Sequence, residues 1–260
     1  MQPVRAKKHL GQHFLKEEGI AKNIVDAVLQ TAQLPLLEIG PGTGVLTKHL
    51  IEKENFVAID IDAESIEFLK KAYPQHAAKI LYGDFLQMNL APLFPDKFAI
   101  IGNFPYNISS QIMFKVLDYR HKIDVVVGMF QKEVAERMAE KPGSKTYGIL
   151  SVLLQAFYDI EYLFTVEPGA FTPPPKVKSA VIRLTRNKTQ QLACDEKLFK
   201  AIVKSTFNQR RKMVRNGVKS FIKDESIMSH KFFTMRPEQL SVAQFVELTQ
   251  IIERQLQHTF

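Results

Sequence analysis

Five short apolar runs punctuate the first half of the chain: Leu36–Ile39, Phe56–Ile61, Lys79–Tyr82, Phe98–Ile101 and Ile123–Met129. Stretches of helical period separate them, among them Ala63–Ala72 and Ser110–Tyr119. Runs this short, apolar and mostly rich in β-branched residues read as buried strands, and their alternation with helices implies a mostly parallel sheet covered on both faces. Such a sheet binds ligands outside the carboxyl ends of its strands. The residues that follow each strand are therefore where chemistry is expected.

The first strand runs into Gly40-Pro41-Gly42-Thr43-Gly44, with a helix expected to start near Val45. Glycines allow positive φ and a close approach of backbone to ligand. A dinucleotide fingerprint is G-x-G-x-x-G, whereas here the spacing is G-x-G-x-G and Val45 takes the place of the third glycine. Glu38, on the strand leading into the loop, would repel a pyrophosphate at the mouth and suits a cationic ligand. The loop therefore points to S-adenosylmethionine rather than NAD.

Acids follow the next two strands. Asp60, about 20 residues beyond the loop, stands where a carboxylate accepts from both ribose hydroxyls, with Ile61 beside it. Asp62 reads as the N-cap of the next helix. After the third strand, Asp84 can accept from an adenine amine, and Phe85 can pack on the ring.

The fourth strand ends in Asn103-Phe104-Pro105-Tyr106. The exocyclic amine of a base is a poor nucleophile because its lone pair is delocalised into the ring. The side-chain oxygen of Asn103 and a neighbouring main-chain carbonyl can accept both N–H protons and aim the lone pair at an incoming methyl group. Pro105 stiffens the turn, and Tyr106 offers a face for stacking. The remainder of the chemistry is alignment, with neither metal nor covalent intermediate required.

Further along, Gly148–Tyr158 reads as a buried helix and Val177–Leu184 as a last strand, preceded by Phe171-Thr172-Pro173-Pro174-Pro175. Thr185–Asp195 loses periodicity, which divides the chain into residues 1–185 and a helical region, residues 186–260. Helices are expected over Glu196–Ser205, Gln209–Ser220 and Val242–Gln255, the last with Ser241 as N-cap. Charge follows the same division. The chain of 260 residues carries 35 Lys+Arg against 27 Asp+Glu. Residues 1–179 balance at 20 of each, so the excess lies in residues 180–260, with 15 basic and 7 acidic. Lys197 to Lys223 holds nine cations and no acid. A neutral body with a cationic end fits a protein that holds a polyanion with one region and works with another.

Hydrophobic content of 45% and charged content of 24% suit a globular chain. No uncharged run approaches the ~18 apolar residues of a membrane span, and the N-terminal residues lack the apolar core of a secretory signal. Cys194 is the only cysteine, which excludes an internal disulfide and a cysteine-based metal cluster. A cytoplasmic protein without metal or membrane association is expected.

Four segments together carry a resemblance: Lys8-His9-Leu10-Gly11-Gln12-His13-Phe14-Leu15, Glu38 to Gly44, Asn103 to Tyr106, and Phe171 to Val181. The chain resembles the ribosomal RNA adenine dimethyltransferases, in particular the bacterial KsgA type, over nearly its whole length. The resemblance implies a Rossmann-like α/β methyltransferase domain with a mostly parallel seven-stranded sheet, followed by a small all-α domain that binds RNA. It implies transfer of methyl groups from S-adenosylmethionine to N6 of two adjacent adenosines in the 3′-terminal hairpin loop of small-subunit (16S) rRNA, giving N6,N6-dimethyladenosine. The partner would be a precursor 30S particle and the enzyme a monomer.

Carried over by residue, the cofactor would touch His13, Leu15, Gly40, Asp60, Asp84 and Asn103, with Glu38, Gly42, Gly44, Ile61 and Phe85 around it. The family usually has Asn at His13, Leu at Phe104 and Glu at Asp60. Residues 1–16, with Lys7 and Lys8, would form a flexible basic lid over the entrance, and a disordered tail is the alternative. Phe171 would flank the target adenine, with core packing as the competing reading. Arg210, Arg211, Lys212 and Arg215 would contact RNA phosphate or form a solvated helix face. Three other functions stay open: a large-subunit rRNA adenine N6-methyltransferase, an assembly factor acting mainly by binding, and an NAD-dependent oxidoreductase.

Overall fold

The computed structural model describes residues 4–31 and 33–257. Its described residues fall into two compact units. One comprises the chain up to Ala135 together with Asp159–Arg186, and the other comprises Glu136–Tyr158 with the chain from Asn187 onward. The sequence division after residue 185 lies one residue before the third crossing between units, at Arg186–Asn187. It puts Glu136–Tyr158 in the first domain, however, whereas those residues cluster with the C-terminal helices.

The first unit is built on a seven-stranded sheet. Strand β1 (Phe14–Leu15) and helix α1 (Glu18–Leu29) precede the first sheet strand, β2 (Leu36–Ile39). Then come β3 (Phe56–Asp60), α2 (Ala63–Ala72), β4 (Ile80–Tyr82), β5 (Phe98–Asn103), α3 (Ser109–Asp118), β6 (Ile123–Gln131) and α4 (Lys132–Ala139). After α5 (Ile149–Gln155) follow β7 (Tyr158–Val166), β8 (Phe171–Thr172) and β9 (Ser179–Arg186). The sheet order is β4-β3-β2-β5-β6-β9-β7. Neighbours from β4 to β6 run parallel, and β9 is antiparallel to β6.

Sequence and burial agree closely in the parallel part. All four residues of β2 are buried, as are the first five of β5, which is why these strands read as unbroken apolar runs rather than alternating ones. Ala99 and Ile101 join the core that α1 covers with Ala21, Ile24, Val25 and Val28. Phe98 and Ile100, one residue out of step, are buried on the opposite side. Each fully buried aliphatic of this kind contributes about 1.5–3 kcal/mol. Helix α2 begins as its sequence dictates: Asp62 accepts from the Glu64 N–H at 3.1 Å, Glu64 stands in the first turn, and Lys70 and Lys71 complement the dipole in the last.

Two expectations fail here, each for a local reason. No α-helix starts near Val45; three glycines with positive φ (Gly40, Gly42 and Gly44) keep the chain turning, and only a single 3₁₀ turn, Thr47–His49, follows. The helix over Gly148–Tyr158 stops at Gln155, and Tyr158 opens β7. That strand's signal is an imperfect period-2 pattern, in which Ile160, Tyr162, Phe164 and Val166 alternate with Asp159, Glu161, Leu163 and Thr165, Leu163 being the apolar exception. Strands β1 and β8, two residues each, pair antiparallel with Leu15 opposite Phe171, and are too short to be read from sequence.

The second unit holds α5, α6 (Glu196–Asn208), α7 (Val214–Val218) and α8 (Val242–Gln257) among its described helices. The expected helix over Gln209–Ser220 is interrupted. Gln209–Lys212 form a turn, with the Lys212 N–H donating to the Gln209 carbonyl at 2.7 Å, so that the Val214 N–H reaches the Met235 carbonyl at 2.8 Å. Gly217 explains the close return: a Cβ there would lie 2.6 Å from the Thr206 Cα. Ser241 caps α8 reciprocally with Gln244, at 3.2 and 2.9 Å. None of the described helices is long and apolar enough to cross a membrane.

Candidate active site

The order of strands locates the site. β2 has β3 on one side and β5 on the other, so the chain reverses direction across the sheet at the β2–β5 pair. Loops leaving the carboxyl ends of such a pair splay apart and leave a crevice. Leu36 pairs with Ala99 and Glu38 with Ile101, which brings the glycine loop beside Asn103. A Cβ on Gly40 would come within 4.0 Å of the Asn103 carbonyl oxygen. The cleft here is lined by Leu10–Phe14, Gly40, Gly42, Asp60, Ile61, Asp84, Phe85 and Asn103–Ile108, among others.

Asn103 is held in one orientation. Its Nδ2 donates to the His13 carbonyl at 2.8 Å. A carbonyl only accepts, so the amide nitrogen must face it, and Oδ1 is left to the other side without a partner among the described residues. Phe104 donates its N–H to the Met129 carbonyl at 3.2 Å, while its own carbonyl accepts from none of the described residues. Its ring, fully buried, lies edge-on to Phe130 at 5.1 Å. Gly102 and Gly128 make that slot, since Cβ atoms there would lie 2.6 and 2.2 Å from the ring. Phe104 therefore contributes main chain to the cleft and side chain to the core. Gly128 is a supporting residue that the sequence reading missed; its only signal is a glycine inside a strand.

Tyr106 hydrogen-bonds through its hydroxyl to Ser179 on β9, and the His13 ring stacks on it at 5.5 Å. Burial raises the Tyr106 pKa, against the opposing effect of Ser179. His13 bonds through Nδ1 to the Pro173 carbonyl at 2.8 Å. Asp60 is buried; its two oxygens accept from the Gly42 N–H at 3.1 Å and the Asp62 N–H at 2.9 Å, with lone pairs to spare on each. Burial raises the Asp60 pKa, and these two N–H groups oppose the shift. Ile61 is 46% exposed at the cleft, an apolar side chain in want of a cover.

Other sequence candidates sit elsewhere. The Glu38 side chain is buried, accepts from the Thr47 hydroxyl at 2.7 Å, and does not line the cleft. Burial pushes its carboxyl up to about 8, so at neutral pH it is mostly protonated rather than a charge at the mouth. The cleft's acids are Asp60 and Asp84 instead. Gly44 also stands back: its positive φ serves close packing, where a Cβ would lie 2.6 Å from the Leu69 side chain. Leu15 and Phe171 are buried partners in the core, away from the cleft lining. Their register in β1 and β8 puts both side chains inward, so neither side chain lines the cleft.

Residues 1–3 of the expected lid lie outside the described residues; the part from Val4 to Lys16 is tied down through Lys7 and Gln12. Lys7 forms an ion pair with Asp62, whose other oxygen accepts from Gln12 at 3.0 Å, and the Lys7 N–H reaches the Gln12 side chain at 2.8 Å. Burial acts to raise the Asp62 pKa, but bonds from Gln12, Lys7 and Ser65 outweigh it and the net shift is downward. Lys8 is exposed on a 3₁₀ turn. In the second unit, Arg211, Lys212 and Arg215 are exposed on the turn and α7, while Arg210 is half-buried and donates to the Ser144 carbonyl at 3.4 Å.

The site's chemistry discriminates among ligands. Neither Lys nor Arg lines the cleft among the described residues, and no α-helix N-terminus follows the glycine loop, so a pyrophosphate lacks both of its usual partners. Two aspartates, exposed apolar surface at Ile61 and carbonyl acceptors fit a cationic nucleoside.

The sequence profile described as ribosomal RNA adenine dimethylase matches residues 4–254. The chain belongs to that family. Among its relatives is the ribosomal RNA small subunit methyltransferase A of Cytophaga hutchinsonii, 59% identical over 97% of this chain and 99% of that protein. The enzyme of the same name from Bacteroides thetaiotaomicron is 55% identical over 98% and 97%. A dimethyladenosine transferase from Plasmodium falciparum, 25% identical, superposes with a TM-score of 0.78 over 93% of this chain and 98% of that one. The 23S rRNA methyltransferase ErmE shares the fold, with a TM-score of 0.67 at 24% identity over 91% and 99%.

Proposed function

We propose that this chain is an S-adenosylmethionine-dependent methyltransferase that converts two adjacent adenosines, in the 3′-terminal hairpin loop of small-subunit rRNA, to N6,N6-dimethyladenosine. The names of the relatives support the small subunit over the large one. The observation that carries the chemistry is the fixed amide of Asn103, whose oxygen has no partner among the described residues and belongs to the cleft lining.

Asp60 would accept from the ribose hydroxyls of the cofactor, Ile61 and Phe85 would cover its purine, and Asp84 would accept from the purine amine. When bound, S-adenosylmethionine supplies an electrophilic methyl group on a sulfonium. The Asn103 side-chain oxygen and the Phe104 carbonyl accept the two N–H protons of the target amine, directing its lone pair out of the ring plane. Tyr106, fixed by Ser179, offers the stacking face. Each transfer makes one N–C bond as one sulfonium S–C bond breaks, and one amine proton passes to water, so the first methylation leaves the amine one N–H and the second leaves none. The fully methylated base then leaves both acceptors unpaired, each at a cost of about 1–3 kcal/mol, which favours release of product over product retention.

A target base must leave its stack to reach this cleft, a cost of a few kcal/mol that is least in a single-stranded loop. The cations of Lys197–Lys223 supply sequence-independent RNA affinity. On this reading the substrate is a precursor of the small subunit in the cytoplasm and the enzyme acts as a monomer. The test is methyl transfer to undermethylated small subunits, with the modified nucleotides mapped by primer extension. Adjacent stops near the 3′ end of small-subunit rRNA are expected. Stops confined to large-subunit rRNA would refute the reading.

A further inference from the structure

Lys115 lies on α3, a helix the cleft does not include, yet its ammonium group is spent on the cleft's wall. The turn after β4 is closed on one side by its own N–H groups. Asp84 Oδ1 accepts from the Leu86 N–H at 2.8 Å, and the Asp84 carbonyl accepts from Gln87 and Met88 at 3.1 and 2.9 Å. Among the described residues, no backbone N–H donates to the carbonyls of Phe85, Leu86 and Met88. All three accept from Lys115 Nζ, the one to Leu86 at 3.2 Å. An ammonium has three donors, and here each has its own carbonyl. Nζ also lies 5.0 Å from the centre of the Phe85 ring, within the range of a cation–π contact.

Four residues further along the same face, the Tyr119 hydroxyl accepts from the Leu90 N–H at 3.5 Å and donates to Asn89 at 3.3 Å. The other end of α3 holds the catalytic turn, since Ser109 at its start donates to the Tyr106 carbonyl at 3.1 Å. One rigid helix thus grips both the Asp84–Phe85 wall and the Asn103–Tyr106 turn.

We infer that Lys115 is a positioning residue for the cofactor: by tying the Phe85–Met88 carbonyls to α3, it holds Asp84 and Phe85 at the spacing from Asn103 that the cofactor's purine requires. This rests on the reading of the cleft as an S-adenosylmethionine site. Burial lowers the Lys115 pKa, while Asp84 and Asp118 act to raise it, so the nearby carboxylates favour the charged, three-donor form.

Calorimetric titration with S-adenosylhomocysteine, on the full chain and on Lys115→Met, tests the inference. Methionine keeps the stem and removes the donors. The expected result is an affinity loss of about tenfold, the consequence of losing a charge-assisted bond. KM for S-adenosylmethionine should rise by a similar factor while kcat at saturation changes less than about twofold. Amide hydrogen exchange of Leu86–Met88 in the ligand-free protein should quicken, with exchange in β2 and β5 unchanged. Lys115→Gln, a shorter donor, is the second variant should the first not fold, and should lose affinity in the same direction. A folded variant of either kind that binds as tightly as the unaltered chain overturns the inference. Failure of the unaltered chain to bind S-adenosylhomocysteine overturns the reading of the cleft instead.

Discussion

Glu38 gives the most quantitative prediction. Its carboxyl is moved from the ordinary 4.5 up to about 8, chiefly by burial, with the Asp60 charge adding and the Thr47 hydroxyl opposing. The folded chain therefore keeps this proton through a range in which the unfolded chain has lost it. Because the unfolded state binds fewer protons there, stability falls as pH rises, with a slope approaching about 1.4 kcal/mol per pH unit between roughly pH 4.5 and 8. From pH 5 to pH 7 this one group costs about 2–3 kcal/mol, and above pH 8 the cost levels off. Glu38→Gln has no proton to lose, and its amide oxygen can still accept from Thr47. Urea unfolding of both proteins at pH 5, 6, 7 and 8 should give similar stability at pH 5. An advantage for the glutamine variant should then grow by about 2–3 kcal/mol by pH 7. Asp60 also has a raised pKa, but it is common to both proteins. A difference between the two that stays constant across this range would refute the buried, protonated carboxyl.

Further predictions concern the site and its supports. Asn103→Ala should abolish methyl transfer while leaving the fold intact by circular dichroism, since it removes the oriented oxygen. Residual transfer within tenfold of the unaltered chain would contradict its role. Asp60→Asn should weaken S-adenosylhomocysteine binding at pH 7.5 by at least about tenfold, because an amide presents one acceptor where a carboxylate presents two. Gly128→Ala places a Cβ 2.2 Å from the Phe104 ring. It should cost about 1–3 kcal/mol in urea unfolding, with Phe104→Leu as a second-site change that recovers part of the loss. Replacing Lys212 and Arg215 by Gln should flatten the log–log salt dependence of RNA binding by roughly 1.5–2. An unchanged slope would remove that turn from the RNA contact.

The sheet is legible in the sequence because parallel strands buried on both faces leave unbroken apolar runs, and β2, β3, β5 and β6 sit within two residues of where those runs place them. Caps are equally legible: Asp62 and Ser241 act within three residues of themselves. Edge and two-residue strands are harder to read. β7 lies at the end of the sheet and carries only an alternating signal, while β1 and β8 exist through pairing with each other across more than 150 residues.

Residue identity by itself determined the succession of strand, turn and helix, the glycines at positive φ and the Asn-x-Pro-Tyr turn after the fourth predicted strand, because each of these is a property of neighbours along the chain. Which carboxylates face the cleft was decided only in three dimensions: Glu38 and Asp60 both belong to strands that lead to the site, yet packing buries one against Thr47 and opens the other to the crevice. The same holds for Phe171, which pairing with β1 turns into the core, and for Lys115, whose three acceptors come from a turn some thirty residues away. Burial and hydrogen-bond partners depend on which distant segments arrive beside a residue, and that information resides in the packed chain rather than in any local window of sequence.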